Sequence, residues 1–146
     1  MNTVACAVLA LASLAGECLA CEAPDANFAR FFERFSDDPA FQSSRLAERI
    51  RFGFFVTDKN DKDKRVWREF TPARITHIYR GHIVPETAER VAGYVKHEGS
   101  PSKDKRVVRI VKNESDSYVV TLFFEKPAGC WRLYGVQDDS NLDWKL

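Results

Sequence analysis

The sequence predicts an α+β domain in which N-terminal helices pack on one face of a curved antiparallel sheet. Three observations carry that expectation. Phe28, Phe31, Phe32 and Phe35 recur at i, i+3, i+4 and i+7, which is one apolar helical stripe. The last 45 or so residues instead read with the two-residue period of strands, interrupted by turn residues. The order is helix, helix, hairpin, helix, then three antiparallel strands, a sequence of elements that stacks helices on a sheet.

The 146 residues allow one domain. A charged fraction of 29% is too high for a polytopic membrane protein, and 45% hydrophobic residues is too high for a disordered chain. The formal net charge of +1 gives no broad drive toward nucleic acid or anionic lipid.

Residues 1–20 read as a signal peptide. The run from Thr3 to Gly16 is uncharged and rich in Ala, Leu and Val, and it is shorter than the ~20 residues a bilayer span needs. Small residues precede two possible cleavage points, after Ala15 and after Ala20, and the second leaves no apolar stub. The working domain is then residues 21–146. Cleavage removes Glu17 alone among the charged residues, so 22 basic groups face 20 acidic ones and the net charge becomes +2.

Cleavage also removes Cys6 and Cys18, which leaves Cys21 and Cys130. In an oxidising compartment a lone pair of cysteines is expected to form a disulfide. The alternative is a lipoprotein acylated at Cys21. Ala20 before it suits lipid attachment, whereas Cys18 three residues before it does not. The two outcomes exclude each other.

Pro24 and Asp25 start the aromatic helix. Asp38 and Pro39 cap and open a second helix carrying Phe41, Gln42, Arg45, Leu46 and Arg49, ending near Ile50. Arg45 lies one turn from Phe41 and points inward, with Asp37 or Asp38 as the nearest acidic partner in sequence. Phe52, Phe54 and Val56 alternate as a half-buried strand. Residues 58–65 lack the Gly of a calcium loop and place Lys62 at a ligand position, so they read as a solvated turn. A second strand, residues 66–70, carries Trp67 and stops before Pro72.

Residues 75–83 are ambiguous. Pro85 and Glu86 open a third helix with Ala88, Val91, Ala92 and Val95 on one face, closed by residues 97–101. Residues 107–111 form a strand. In residues 118–124, Tyr118, Val120, Leu122 and Phe124 alternate with Val119, Thr121 and Phe123, which predicts a strand buried on both faces or covered by helices. The last strand runs from Cys130 to Gln137, with Trp131 and Leu133 on one face and Tyr134 and Val136 on the other. Asn113 to Asp116 and Pro127 to Gly129 supply the hairpin turns.

Phe32-x-x-Phe35-Ser36-x-Asp38-x-x-Phe41-Gln42-x-x-Arg45 and the ending Trp131-Arg132-Leu133, Val136-x-Asp138-x-Ser140 resemble an uncharacterised family of secreted bacterial proteins with the nuclear-transport-factor-2-like, or cystatin-like, fold. That resemblance implies a cone of helices and curved sheet. It implies no activity, because this fold hosts isomerases, dehydratases, transport adaptors and pure binding modules.

Catalytic signatures are sparse. His77 and His82 are five residues apart, not the i, i+4 pair that places two metal ligands on one helix face. No Gly-x-Ser-x-Gly elbow and no glycine-rich phosphate loop occur. The basic run at 103–109 contains Asp104 and follows a strand pattern, so it reads as a solvated edge. Acid–base chemistry in a cone needs a His or Asp pointing inward with its pKa moved by burial. Residues 104–137 offer Val, Ile, Phe, Tyr and Trp, with Arg109 as the polar exception.

The expectation is therefore an exported, periplasmic or secreted, non-catalytic binding module, with an inhibitor or immunity protein as one form of it. Its partner is another protein or an apolar small ligand, not nucleic acid, and membrane contact arises only through a lipid on Cys21. The candidate ligand-binding residues are Trp67, Tyr79, His82, Arg109 and Tyr134. No catalytic residue, metal or cofactor is assigned. The alternative is a small cone enzyme of isomerase or hydrolase type, using His77 or His82 with a carboxylate. Near the C-terminus, Trp144 is expected to dock back on the sheet.

Overall fold

The computed structural model describes residues 23–57, 63–113 and 118–140. The leader, Cys21, the tip of the 58–65 turn, residues 114–117 and the tail with Trp144 lie outside the described residues.

A short 3-10 turn at Ala23–Ala26 leads into α1 (Phe28–Asp37) and α2 (Pro39–Ser44). Asn27 caps α1, its side chain accepting from the Ala29 and Arg30 N–H groups. Asp38 caps α2 by accepting from Phe41 N–H at 2.9 Å, and Pro39 occupies the first turn, where its missing N–H costs nothing. Both caps follow the start signals in the sequence, although Asn27 rather than Asp25 begins the first helix.

β1 (Leu46–Thr57) and β2 (Asp63–Phe70) form the hairpin. The second helix thus ends six residues earlier than its pattern suggests. Residues 46–50 belong to β1, where Leu46 pairs with Leu133 of β6 and Ile50 with Phe70 of β2. After α3 (Pro72–Ile78) and α4 (Thr87–Gly93) come β3 (Tyr94–Ser102), β4 (Lys105–Lys112), β5 (Val119–Glu125) and β6 (Arg132–Asp138). The ambiguous stretch 75–83 is therefore helix followed by loop.

β3 is a strand that the sequence reading treats as the end of a helix. Its residues 94–102 are almost all exposed, and an edge strand with little to bury has no alternation to betray it.

The six strands form one unclosed sheet in the order β2-β1-β6-β5-β4-β3. Every pairing is antiparallel except β1 with β6, which is parallel. The sheet is thus mixed at one position, since the chain re-enters beside β1 only after building the other three strands.

Helices cover one face of the sheet. Phe28, Phe31, Phe32 and Phe35 are all buried, as their spacing predicts. Their rings surround Phe124 of β5 edge-on, with centroids 5.2–5.9 Å away. β5 is buried at most positions, as apolar residues on both of its faces require.

A bulge in β6 changes which side chains share that face. Phe123 pairs with Gly135 but Phe124 pairs with Leu133, so Tyr134 is the extra residue. Leu133 and Val136 therefore both point into the core, and Tyr134 points out beside Phe123. Simple alternation would have put Val136 on the face of Tyr134.

Two polar locks hold the helices to the sheet. Arg45 points inward as expected, but its partner is Asp25, at 2.9 Å, rather than Asp37 or Asp38. Asp25 also accepts from Trp131 N–H at 2.7 Å, and its backbone carbonyl accepts from Lys126 Nζ. Asp38 is occupied as the α2 cap, and Asp37 accepts from Thr87 N–H at the start of α4. Gln42, buried, donates to the Phe35 carbonyl and accepts from Ile83 N–H, tying the loop after α3 to the first helical pair.

Candidate functional site

An apolar core packs the interior of the cone beneath its mouth. A cavity of about 330 Å³ lies at that mouth, lined by α3 and the loop after it, by α4, and by the adjoining ends of β3, β5 and β6. Its chemistry comes from Tyr79, His82, Glu89, Tyr94, Tyr118 and Asp138.

Each of these side chains reaches the mouth for a local reason. Tyr79 closes α3, and the chain then reverses through Arg80 and Gly81 at φ 52° and 94°. A left-handed Arg is uncommon, and such backbone recurs where a loop is held for function. The reversal brings His82 to the rim. Asp138 ends β6 on the inward face: it pairs with Val120 as Val136 pairs with Leu122. Tyr118, two residues before Val120, lies on the same side of β5. Tyr94 opens β3, directly after α4 and its Glu89.

Asp138 is only 1% exposed. Its Oδ2 accepts from the Tyr79 hydroxyl at 2.7 Å and its Oδ1 from Ser140 N–H at 2.9 Å. Both donors are neutral. Burial raises its pKa above the ordinary carboxylate range, and the hydrogen bonds from Tyr79 and Ser140 only partly offset that. The same burial pushes the phenols of Tyr79 and Tyr118 upward, and the Asp138 charge adds to it. The Tyr94 phenol is raised by burial and by its hydrogen bond to Glu89. The rings of Tyr94 and Tyr118 meet edge-to-face, 5.3 Å apart at 78°.

The five candidate ligand-binding residues divide between two faces. Tyr79 and His82 line the mouth. Trp67, Arg109 and Tyr134 lie on the opposite, helix-free face of the sheet. Arg109 is exposed between the buried Val108 and Ile110, so it is not the inward polar exception that the strand pattern suggests. That part belongs to Asp138, where Val136-x-Asp138-x-Ser140 already marks one face at two-residue spacing. Trp67 is 40% exposed and lies across Gly53, with the Arg51 guanidinium 5.1 Å from its ring. Phe55, also 40% exposed, sits under Arg65. Tyr134 stands beside Phe123.

His77 opens onto a separate, broad surface trough with Ser43, Thr76 and Arg80. His97 lies on β3 opposite Arg109. Among the described residues, no group of three or more His, Cys, Asp and Glu side chains is placed to hold a metal ion. None of the described helices is long and apolar enough to cross a membrane.

Solved structures share this architecture. An NTF2-like protein from Bacteroides fragilis aligns over 76% of the chain with a TM-score of 0.53 at 16% identity. The chain spans 46% of that protein's length. An NTF2-like protein of unknown function from Silicibacter pomeroyi aligns over 77% of this chain and 92% of its own, at 10% identity and a TM-score of 0.45. A cystatin-like domain of unknown function from Nostoc punctiforme aligns over 84% of this chain and 81% of its own, at 13% identity and a TM-score of 0.44. No protein family and no curated protein matches the chain by sequence. The chain has the NTF2-like fold, as the resemblance of its first helices and last strand implies.

Proposed function

We propose that the chain is an exported, non-catalytic module that binds a small ligand in the mouth of its cone. The observation that carries this reading is the half-buried Tyr79–Asp138 hydrogen bond within an open cavity of about 330 Å³, a volume typical of small-molecule sites. Buried phenylalanines pack the interior beneath it. The lining also sharpens the expected ligand: two carboxylates and three phenols suit a partly polar molecule better than a wholly apolar one.

Export and the Cys21–Cys130 bridge form part of the same proposal. Asp25 Oδ1 is 2.7 Å from Trp131 N, so the start of the described chain lies beside Cys130. Four residues separate Asp25 from Cys21, and an extended chain covers roughly 13 Å in that distance. Cys21 is therefore within reach of Cys130.

The test is a fragment screen followed by protein NMR. The expected result is a set of compounds that shift Tyr79, Tyr94 and Tyr118. Compounds or protein partners that shift only Trp67, Tyr134 and their neighbours would move the function to the outer face of the sheet.

A second reading is the cone enzyme, favoured by Asp138, whose raised pKa suits a general base, sharing a cavity with His82. It predicts chemical conversion of a bound compound, abolished by Asp138→Asn.

A further inference from the structure

We propose that the mouth of the cone is a cage for an organic ammonium ion; this rests on the small-ligand reading above. The argument begins with hydrogen-bond direction. The Tyr79 hydroxyl donates its proton to Asp138, and Glu89 lies close enough to Tyr94 to raise its phenol pKa. The carboxylates of the lining, Asp138 and Glu89, offer a ligand lone pairs and, when ionised, no donors. A ligand that brings positive charge or N–H donors complements that set.

The rings give the second part. Tyr94 and Tyr118 stand 5.3 Å apart at 78°, forming two walls of a corner. Aromatic faces carry negative potential, and cages of this kind hold ammonium groups that present methyl or methylene surface. Ile78, Val84 and Pro85 add apolar wall for the alkyl part.

Charge supplies the third. The carboxyl group of Asp138 is buried against two neutral donors, the Tyr79 hydroxyl and Ser140 N–H. Arg80 and His82 are the basic groups on the lining, and both are exposed at the rim. Two carboxylic side chains, Glu89 and Asp138, share the lining with one guanidinium, that of Arg80, so acidic groups outnumber it there.

The experiment compares choline with its neutral isostere 3,3-dimethylbutan-1-ol, using the mature protein, calorimetry and NMR. Choline is expected to shift Tyr94 and Tyr118 and to bind at least about tenfold more tightly than the isostere, as one cation–π and carboxylate contact requires. Glu89→Gln, at an exposed position, and Asp138→Asn should each weaken choline without affecting the isostere. Tyr118→Phe, which keeps the ring, should retain it, and Tyr118→Leu should not. Equal binding of the two probes, or choline binding unchanged in both carboxylate variants, overturns the proposal. If the isostere or benzoate shifts the tyrosines and choline does not, the ammonium assignment falls while the small-ligand site stands. If none of the three shifts them, both readings fall.

Discussion

Asp138 is a carboxylate whose protonated form the fold favours more than the unfolded chain does, because burial outweighs the hydrogen bonds it accepts. The sign follows. A raised folded-state pKa means that stability from this group is present at low pH and lost as pH rises from the ordinary carboxylate range through the raised value. Asn at this position keeps an acceptor for Ser140 N–H and does not ionise. Urea midpoints measured from about pH 3 to about pH 8 should therefore show wild type losing stability relative to Asp138→Asn as pH rises. A constant difference across that range would remove burial as the cause. Asp25 behaves differently, since it has a cation. Arg45 is almost buried and lies 2.9 Å from it, so Arg45→Met leaves a buried carboxylate that also anchors Trp131. The expected loss is about 3 kcal/mol in denaturant unfolding. On the outer face, a Cβ on Gly53 would lie 2.8 Å from the Trp67 ring. Gly53→Val should displace the indole and raise its exposure, read as a red shift and stronger quenching of Trp67 fluorescence in a variant where Trp131 and Trp144 are Phe.

Short elements depend on their ends. α2 has six residues and cannot persist alone, so its cap matters more than its propensity. Asp38→Ala should cost about 1 kcal/mol, measured by urea denaturation, with Asp38→Asn close to wild type. The α2 boundary also shows where local signals lose to pairing. Residues 46–50 carry a pattern that fits a helix, yet β6 offers Leu46 a parallel partner and β2 pairs with Ile50, which is fully buried. The β6 bulge acts in the same way at the other end of that pairing. By adding Tyr134 it turns Val136 and Asp138 inward, and so creates the floor of the mouth. β3 contributes Tyr94 to the site while presenting little apolar sequence of its own.

For the whole molecule, Phe124 joins helices to sheet, with four helical phenylalanines edge-on around a fully buried ring. Phe124→Ala should destabilise the fold by about 3–5 kcal/mol in chemical denaturation, because so crowded a site cannot collapse onto the void. At the chain's start, the proposed bridge from Cys21 to Cys130 would close nearly the whole domain into one loop. Reduction of the exported protein should raise its intact mass by two hydrogens and lower its stability by about 2–4 kcal/mol. A lipid-sized mass increment on Cys21 would replace the bridge with an anchor.

The amino-acid sequence by itself determined the class of fold, the aromatic face of α1, the α2 cap and the doubly buried β5, because each is written in local periodicity or in one capping residue. It also supplied Tyr79 and His82 of the mouth, although without a reason to separate them from Trp67, Arg109 and Tyr134. Tertiary structure alone decided the parallel β1–β6 pair, the Asp25 partner of Arg45 and the gathering of Tyr94, Tyr118, Glu89 and Asp138 around Tyr79. Those residues lie on four separate elements, and contacts between distant segments leave no period in a sequence. What brings them together is the cost of leaving backbone unpaired and phenylalanine exposed, and that cost is settled only when the whole sheet has formed.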